Sequence, residues 1–386
     1  MSNFLEKASI ILTPTAYNTS EVLCVKPSDG SGDFDFSRAT DATRINSLGL
    51  IETIGINLPR INYEGGCGSW LWEPQATNLF SDSTITTANG GGVVTVNAAI
   101  SPDGTQNASL INFATAVNDG GRLKIGGSAA TPSTDYVISF YAKSVVGDGT
   151  FTLRVDTDTQ SLLVNINLAA TSEWARYTHT FTTDASASSF GSSSRLKKSS
   201  TDNNEILFYG MQLEVGFATS YIPTDGSTVT RNQDVCTNGG SLSSINSTEG
   251  TLYFEGSTLV NGGSTRTISL SDSTNNNLIY IRFDATSSRF FGFARGGGGS
   301  YTTVLKNSIN QTDKNKVALV WDATNFKIWI NGSEQATATL NSLPIAMNTL
   351  NFTSPTGSDV FFGNTKCVAV WKEALTDAEL TELTTI

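Results

Sequence analysis

Within residues 134–216, five short runs rich in β-branched and aromatic residues follow one another, each bounded by Gly, Asp, Ser or Asn. They are Asp135–Lys143, Thr150–Asp156, Ser161–Leu168, Glu173–Thr183 and Glu205–Val215. Each run has the length of a strand, and the short gaps between them do not suit the helices of a βαβ fold. Short strands at this spacing predict an antiparallel sandwich or jelly roll. In the last run the two-residue period of a strand places Leu207, Tyr209, Met211, Leu213 and Val215 on one face. Phe208, Gln212 and Glu214 then fall on the other.

A second β region follows. Gly250–Glu255 reads as a strand, and Asn277–Phe283 with Arg289–Arg295 as a hairpin around Asp284-Ala285-Thr286. Lys316–Trp321 and Phe326–Ile330 form another pair around Asp322–Asn325. Asn331-Gly332 then marks a type I′ turn, because both residues tolerate positive φ. Thr376-Asp377-Ala378-Glu379 is a capping box that opens a C-terminal helix, expected to pack against the end of this sandwich. Residues 233–248 show no periodicity and read as a linker. Gly296–Gly299 is a loop without the lysine and helix of a phosphate cradle.

Composition agrees with β-structure. Charged residues make up 15% of the chain, against about 25% in an average domain, and Ser, Thr, Asn and Gly take their place. The net charge of -11 repels phosphate backbones, so no nucleic-acid partner is expected. The basic cluster Arg195, Lys197 and Lys198 reads as a solvated loop. No apolar run approaches the ~20 residues of a membrane helix, so no membrane insertion is expected. Residues 1–12 carry Glu6 and Lys7 beside an apolar run too short for a secretion signal. Cys24, Cys67, Cys236 and Cys367 form no CxxC pair and are expected to be reduced thiols.

Groups for catalysis are scarce. The single histidine, His179, alternates with Tyr177 and Phe181 along a strand and reads as a packed or edge histidine. There is no GxSxG elbow, nor the closely spaced carboxylates that glycoside hydrolysis needs. Asp377, Glu379 and Glu382 belong to the terminal helix, where the first two complement its dipole. The Gln212/Glu214 pair reads as a surface feature able to meet a ligand. No cofactor is expected. Calcium often supports such folds, but Asp284, Asp322 and Asn325 sit at turns where Asp and Asn belong anyway, so no metal ligand is assigned.

Three stretches carry a resemblance. Phe34–Phe80, with Ser37-Arg38-Ala39-Thr40, Ala42-Thr43-Arg44, Gly49-Leu50-Ile51-Glu52, Asn57, Pro59-Arg60, Tyr63, Glu73-Pro74-Gln75 and Thr77-Asn78-Leu79, resembles a module recurrent in bacteriophage tail-fibre and other appendage proteins. It departs from that pattern at Trp72 and Ala76. Residues 134–224, with YVISFYAK, EWARYTHTF and MQLEVG, resemble jelly-roll carbohydrate-binding modules. Residues 247–386, with EGTLYFEG, KVALVWDATNFKIWINGSEQ and VAVWKEALTDAELTEL, are similar to concanavalin-like, laminin-G-type sandwiches.

The resemblance implies an all-β virion subunit, of head-fibre or tail-fibre type, without enzymatic activity. It would be assembled in the bacterial host cytoplasm and would reside in the virion. Residues 1–80 would be an N-terminal β-rich virion-attachment module, followed by two antiparallel sandwiches: a carbohydrate-binding-module-like jelly roll at 81–232 and, after the linker, a laminin-G-like domain at 249–386. Its partners would be other virion proteins, further copies of itself in a trimer, and host-surface glycan. The alternative is a tail depolymerase that hydrolyses polysaccharide.

One sheet face stands out as an interaction surface. Along 277–283, Ile279, Ile281 and Phe283 alternate with Tyr280 and Arg282, and the first set is the better core candidate. Arg289, Phe291, Phe293 and Arg295 share a face of the next strand. Rings and guanidinium groups suit both saccharide stacking and subunit contact. Tyr280, Arg282, Phe293, Arg295 and Tyr301 are the expected contact residues, with Trp72 added because it departs from the appendage pattern.

Overall fold

The computed structural model describes residues 4–113, 119–199 and 203–386. Among these, strands dominate and the longer helix is the C-terminal one, Asp377–Thr384. Among the described residues, no helix is long and apolar enough to cross a membrane. The chain divides into two compact units: Met1–Asp41, Ile54–Pro74 and Gln233–Ile386 form the first, and Ala42–Thr53 and Gln75–Asn232 the second.

In the first unit an eight-stranded antiparallel sheet runs in the order Ser333–Thr339, Asn325–Ile330, Asn315–Trp321, Gly250–Thr258, Gly363–Trp371, Ser69–Trp72, Ile61–Asn62, with Ile10–Leu12 also paired to Gly363–Trp371. A five-stranded sheet runs Thr302–Asn307, Arg289–Arg295, Leu278–Phe283, Arg266–Ser271, Thr349–Asn351. Their apolar faces share one core, with Leu252, Phe254, Leu319, Trp321 and Val368 from the larger sheet and Ile268, Ile279, Ile281, Phe290 and Leu350 from the smaller. The sheets press closely at Gly292, where an added Cβ would lie 2.4 Å from Leu319 Cδ2.

The Asn331-Gly332 turn has φ of 52° and 88°, as the type I′ reading requires. The capping box at Thr376 also forms. The helix it opens packs Leu380 and Leu383 against Tyr253, Val320, Trp329 and Trp371, which all belong to strands of the larger sheet. It therefore covers that sheet's outer face, not the end of the sandwich.

Residues 1–80 do not form a body of their own, because their segments are shared between both units. Residues 233–248 are not a free linker. Val235–Thr237 pairs with Phe34–Ser37, and Ile245 enters the core at 4% exposure.

The second unit stacks two five-stranded sheets. One runs Val93–Ile100, Gln106–Asn112, Glu205–Val215, Asp135–Val146, Ala175–Thr182. The other runs Ala88–Asn89, Gly120–Arg122, Arg195–Lys197, Thr150–Asp156, Leu162–Ala169. Phe113, Ile138, Phe140, Phe151, Leu153 and Phe208 fill the space between. The basic cluster is not a loop: Arg195–Lys197 is an inner strand, and burial lowers the pKa of both Arg195 and Lys197.

The face assignment in Glu205–Val215 changes half-way. Gly210, at φ 66°, makes a bulge opposite Phe140, so Ile206, Phe208, Met211 and Leu213 all reach the core while Tyr209 and Gln212 point away from it.

Candidate functional site

The strand Leu278–Phe283 alternates as its sequence predicts. Ile279, Ile281 and Phe283 are fully buried, while Tyr280 and Arg282 are half-buried on the opposite face. In Arg289–Arg295, Phe290 and Ala294 point into the core, leaving Arg289, Phe291, Phe293 and Arg295 outward. The register sets Tyr280 beside Phe293 and Arg282 beside Phe291. On the next strand Thr303 lies beside Phe293 and Leu305 beside Phe291.

The rings form a continuous strip. Tyr280 and Phe293 centroids are 4.9 Å apart, Phe291 and Phe293 5.3 Å, and Phe293 and Tyr301 5.9 Å with an edge-to-face angle. Guanidinium groups lie against them: Arg282 is 5.8 Å from both Phe291 and Phe293, Arg289 is 5.1 Å from Phe291, and Arg295 is 4.8 Å from Tyr301. Tyr301 is 42% exposed, so the strip ends in an accessible ring.

The cations are fixed in place. Asp284 Oδ2 is 3.0 Å from Arg282 Nη2, and Asp284 Oδ1 accepts from Arg289 Nε at 3.0 Å. Burial works against the Asp284 carboxylate, but the Thr286 backbone N–H and these two arginines hold its pKa below the ordinary range. Arg295 donates to the carbonyls of Gly299, Asn275 and Gly298 at 2.7, 2.7 and 2.8 Å, which ties the glycine loop to the strip. Burial pushes the Tyr280 phenol up to about 12, so it stays a neutral hydrogen-bonding group. A pre-ordered surface of rings and guanidinium planes loses little side-chain entropy when a ligand settles on it.

Five of the expected contact residues, Tyr280, Arg282, Phe293, Arg295 and Tyr301, thus meet in one surface. Trp72 does not. It is 1% exposed, stacked on Trp70 at 5.8 Å, and its Nε1 donates to Thr365 Oγ1 at 3.1 Å. An indole of that size at the centre of the core is a packing residue. Gln212 and Glu214 are likewise buried. Gln212 Nε2 donates to Glu214 at 2.6 Å, and Glu214 accepts from the Thr219 backbone N–H at 3.0 Å, so the pair ties down the 219–222 segment. Desolvation raises the Glu214 pKa despite those bonds.

Leu305 and Thr303 were not visible in the sequence, because TTVLKN is too short and too mixed to announce a strand. A second cluster also escaped it. On the second unit Tyr141 and Tyr209 lie 6.3 Å apart, Arg176 stands 5.7 Å from Tyr141, and Tyr209 donates to Asp103 at 3.0 Å. The bulge at Gly210 turns Tyr209 outward against simple alternation. Among the described residues, no group of three or more His, Cys, Asp or Glu is placed to hold a metal ion.

Residues 228–381 match the family model described as the concanavalin A-like lectin/glucanases superfamily, and residues 82–191 match that described as a carbohydrate binding domain. No curated protein matches the chain. Among solved structures, the CBM40 of Ruminococcus gnavus IT-sialidase bound to α2,3-sialyllactose is similar at 17% identity, with 39% of this chain and 94% of that one covered and a TM-score of 0.33. Domain 4 of AbnA, a GH43 extracellular arabinanase from Geobacillus stearothermophilus, in complex with arabinotriose, is similar at 15% identity, with 44% and 82% covered and a TM-score of 0.34. The two family models fit the two antiparallel sandwiches, one of a carbohydrate-binding type and one of a concanavalin-like type.

Proposed function

We propose that this chain is a non-catalytic glycan-binding subunit of a bacteriophage appendage, and that the arginine–aromatic face of its first unit meets the saccharide. The observation that carries the binding reading is the strip of rings from Tyr280 through Phe293 to Tyr301, held rigid by Arg282 and Arg295. A pyranose has an apolar face that stacks on such rings, while its hydroxyls reach the polar rim. The matches to a carbohydrate binding domain and a lectin/glucanase superfamily support the ligand class. The letters of Phe34–Phe80 support the appendage context. Docking onto the particle through residues 1–80, self-association as a trimer, and residence in the virion belong to the same proposal.

The test is binding of purified chain to host-surface glycan, alongside adsorption of particles to cells. Tyr280→Ala and Tyr301→Ala are expected to weaken binding by about tenfold, the usual cost of removing one good aromatic contact, with thermal melting unchanged. Unchanged folding, assembly and adsorption in both variants would overturn the surface assignment. A reducing-end assay addresses the depolymerase alternative: sugar released above a denatured control would overturn the non-catalytic reading.

A further inference from the structure

The first unit holds a cavity of about 350 Å³ that shares no residue with the arginine–aromatic face. Three lysines line it, Lys7, Lys26 and Lys372, from segments far apart in sequence. Hydrogen bonds from Ser9 and Ile11 fix the frame that brings them together. Ser9 N donates to Val370 O at 2.8 Å, Ile11 N to Lys26 O at 2.8 Å, and Ser9 Oγ to Ser244 O at 2.6 Å.

The three cations differ in what neutralises them. Lys7 sits 3.1 Å from Glu373 and 3.7 Å from Glu379. Lys26 and Lys372 have no carboxylate within ion-pair distance among the described residues; their partners are the carbonyls of Glu6 and Ser243, the latter at 3.2 Å. One carbonyl uses one of an ammonium's three N–H groups. The cavity's own carboxylate, Asp29, accepts the backbone N–H and hydroxyl of Ser31 at 3.0 and 2.6 Å, both on Oδ1, and keeps its charge. In a chain with 35 acidic side chains against 24 lysines and arginines, counter-ions are plentiful. Three ammonium groups line one cavity that holds a single carboxylate, so an anion entering from outside is attracted to it.

We propose that this cavity binds a phosphate group, free or carried on a small polyol or sugar. Lysine recognises phosphate as a point charge with rotatable donors, and strict planar geometry is not needed. The volume lies at the low end for small-molecule sites, larger than a bare phosphate requires, and four serine residues line the remaining space.

Titration calorimetry of the full chain with inorganic phosphate, glycerol 3-phosphate and glycerol, at constant ionic strength in chloride, tests this. Both phosphates are expected to bind saturably with one site, and glycerol not at all. Tighter binding of glycerol 3-phosphate assigns the ester as the ligand; equal binding assigns the free anion. The double variant Lys26→Gln/Lys372→Gln is expected to weaken phosphate by about tenfold or more. Lys314→Gln, which removes a cation paired with Glu255, is expected to leave it unchanged. Absence of phosphate binding by the unaltered chain, or equal affinity in the double variant, would overturn the site. Glycan binding through Tyr280 and Tyr301 is measured separately, so either result stands without the other.

Discussion

Arg38, Arg60, Glu73 and Asp234 form a buried charge network, each with a side chain at most 2% exposed. Asp234 accepts from Arg38 Nη1 at 3.0 Å, from Arg60 Nη2 at 2.5 Å and from the Glu73 backbone N–H at 2.8 Å. Glu73 takes the other arm of Arg60 at 2.7 Å. Burial opposes the Arg60 charge, but Asp234 and Glu73 more than offset it, and its pKa rises. Three of the four letters stood out in the sequence as members of a recurrent pattern. Their purpose did not, because the fourth lies 161 positions beyond Glu73 and no local rule joins them. Asp234→Ala leaves two guanidinium groups facing each other without their shared acceptor. It is expected to cost about 3–5 kcal/mol, read as a lowered urea midpoint for the first unit.

Alternation carried most of the strand reading. It placed Ile279, Ile281 and Phe283 inside and Tyr280 and Arg282 outside, because an unbroken strand between two neighbours has no freedom to do otherwise. The outward face of rings and guanidinium groups was legible for that reason. Alternation failed at Gly210, where one inserted residue exchanges the faces. The period cannot foresee a bulge, although a glycine inside a strand pattern is its usual mark. Gly210 has φ 66°, and a Cβ there would come within 3.2 Å of the Tyr221 ring. Gly210→Val is therefore expected to cost about 1–3 kcal/mol through backbone strain and crowding. A matching loss in the second unit's melting transition is the check, with the first unit's transition unmoved.

At the scale of the whole molecule, the fold class was readable because composition and strand spacing are global signals. The assembly of each unit was not, since it depends on pairings such as Ile10 with Val370, which no pattern announces. The segment 249–386 looks complete in sequence, yet its larger sheet takes Ile10–Leu12, Ile61–Asn62 and Ser69–Trp72 from upstream. Expressed alone, 249–386 would expose the free edge of Gly363–Trp371 and lose the Trp70 and Trp72 packing. It is expected to give the poor amide dispersion of a disordered core by NMR, whereas the full chain gives a dispersed β spectrum. The pairing of Ile10–Leu12 with Gly363–Trp371 also has a mechanical consequence. Ile10 faces Val370 and Leu12 faces Val368, so tension applied upstream of the first strand and downstream of the last enters the ladder from the same end. Its hydrogen bonds then break in succession, as a zip opens, and are never loaded together in shear. The second unit's segments, Ala42–Thr53 and Gln75–Asn232, lie in the stretch of chain closed off by that ladder and take up tension only after it opens. A stretched chain would yield there first and at low force, with the second unit's sandwich still folded.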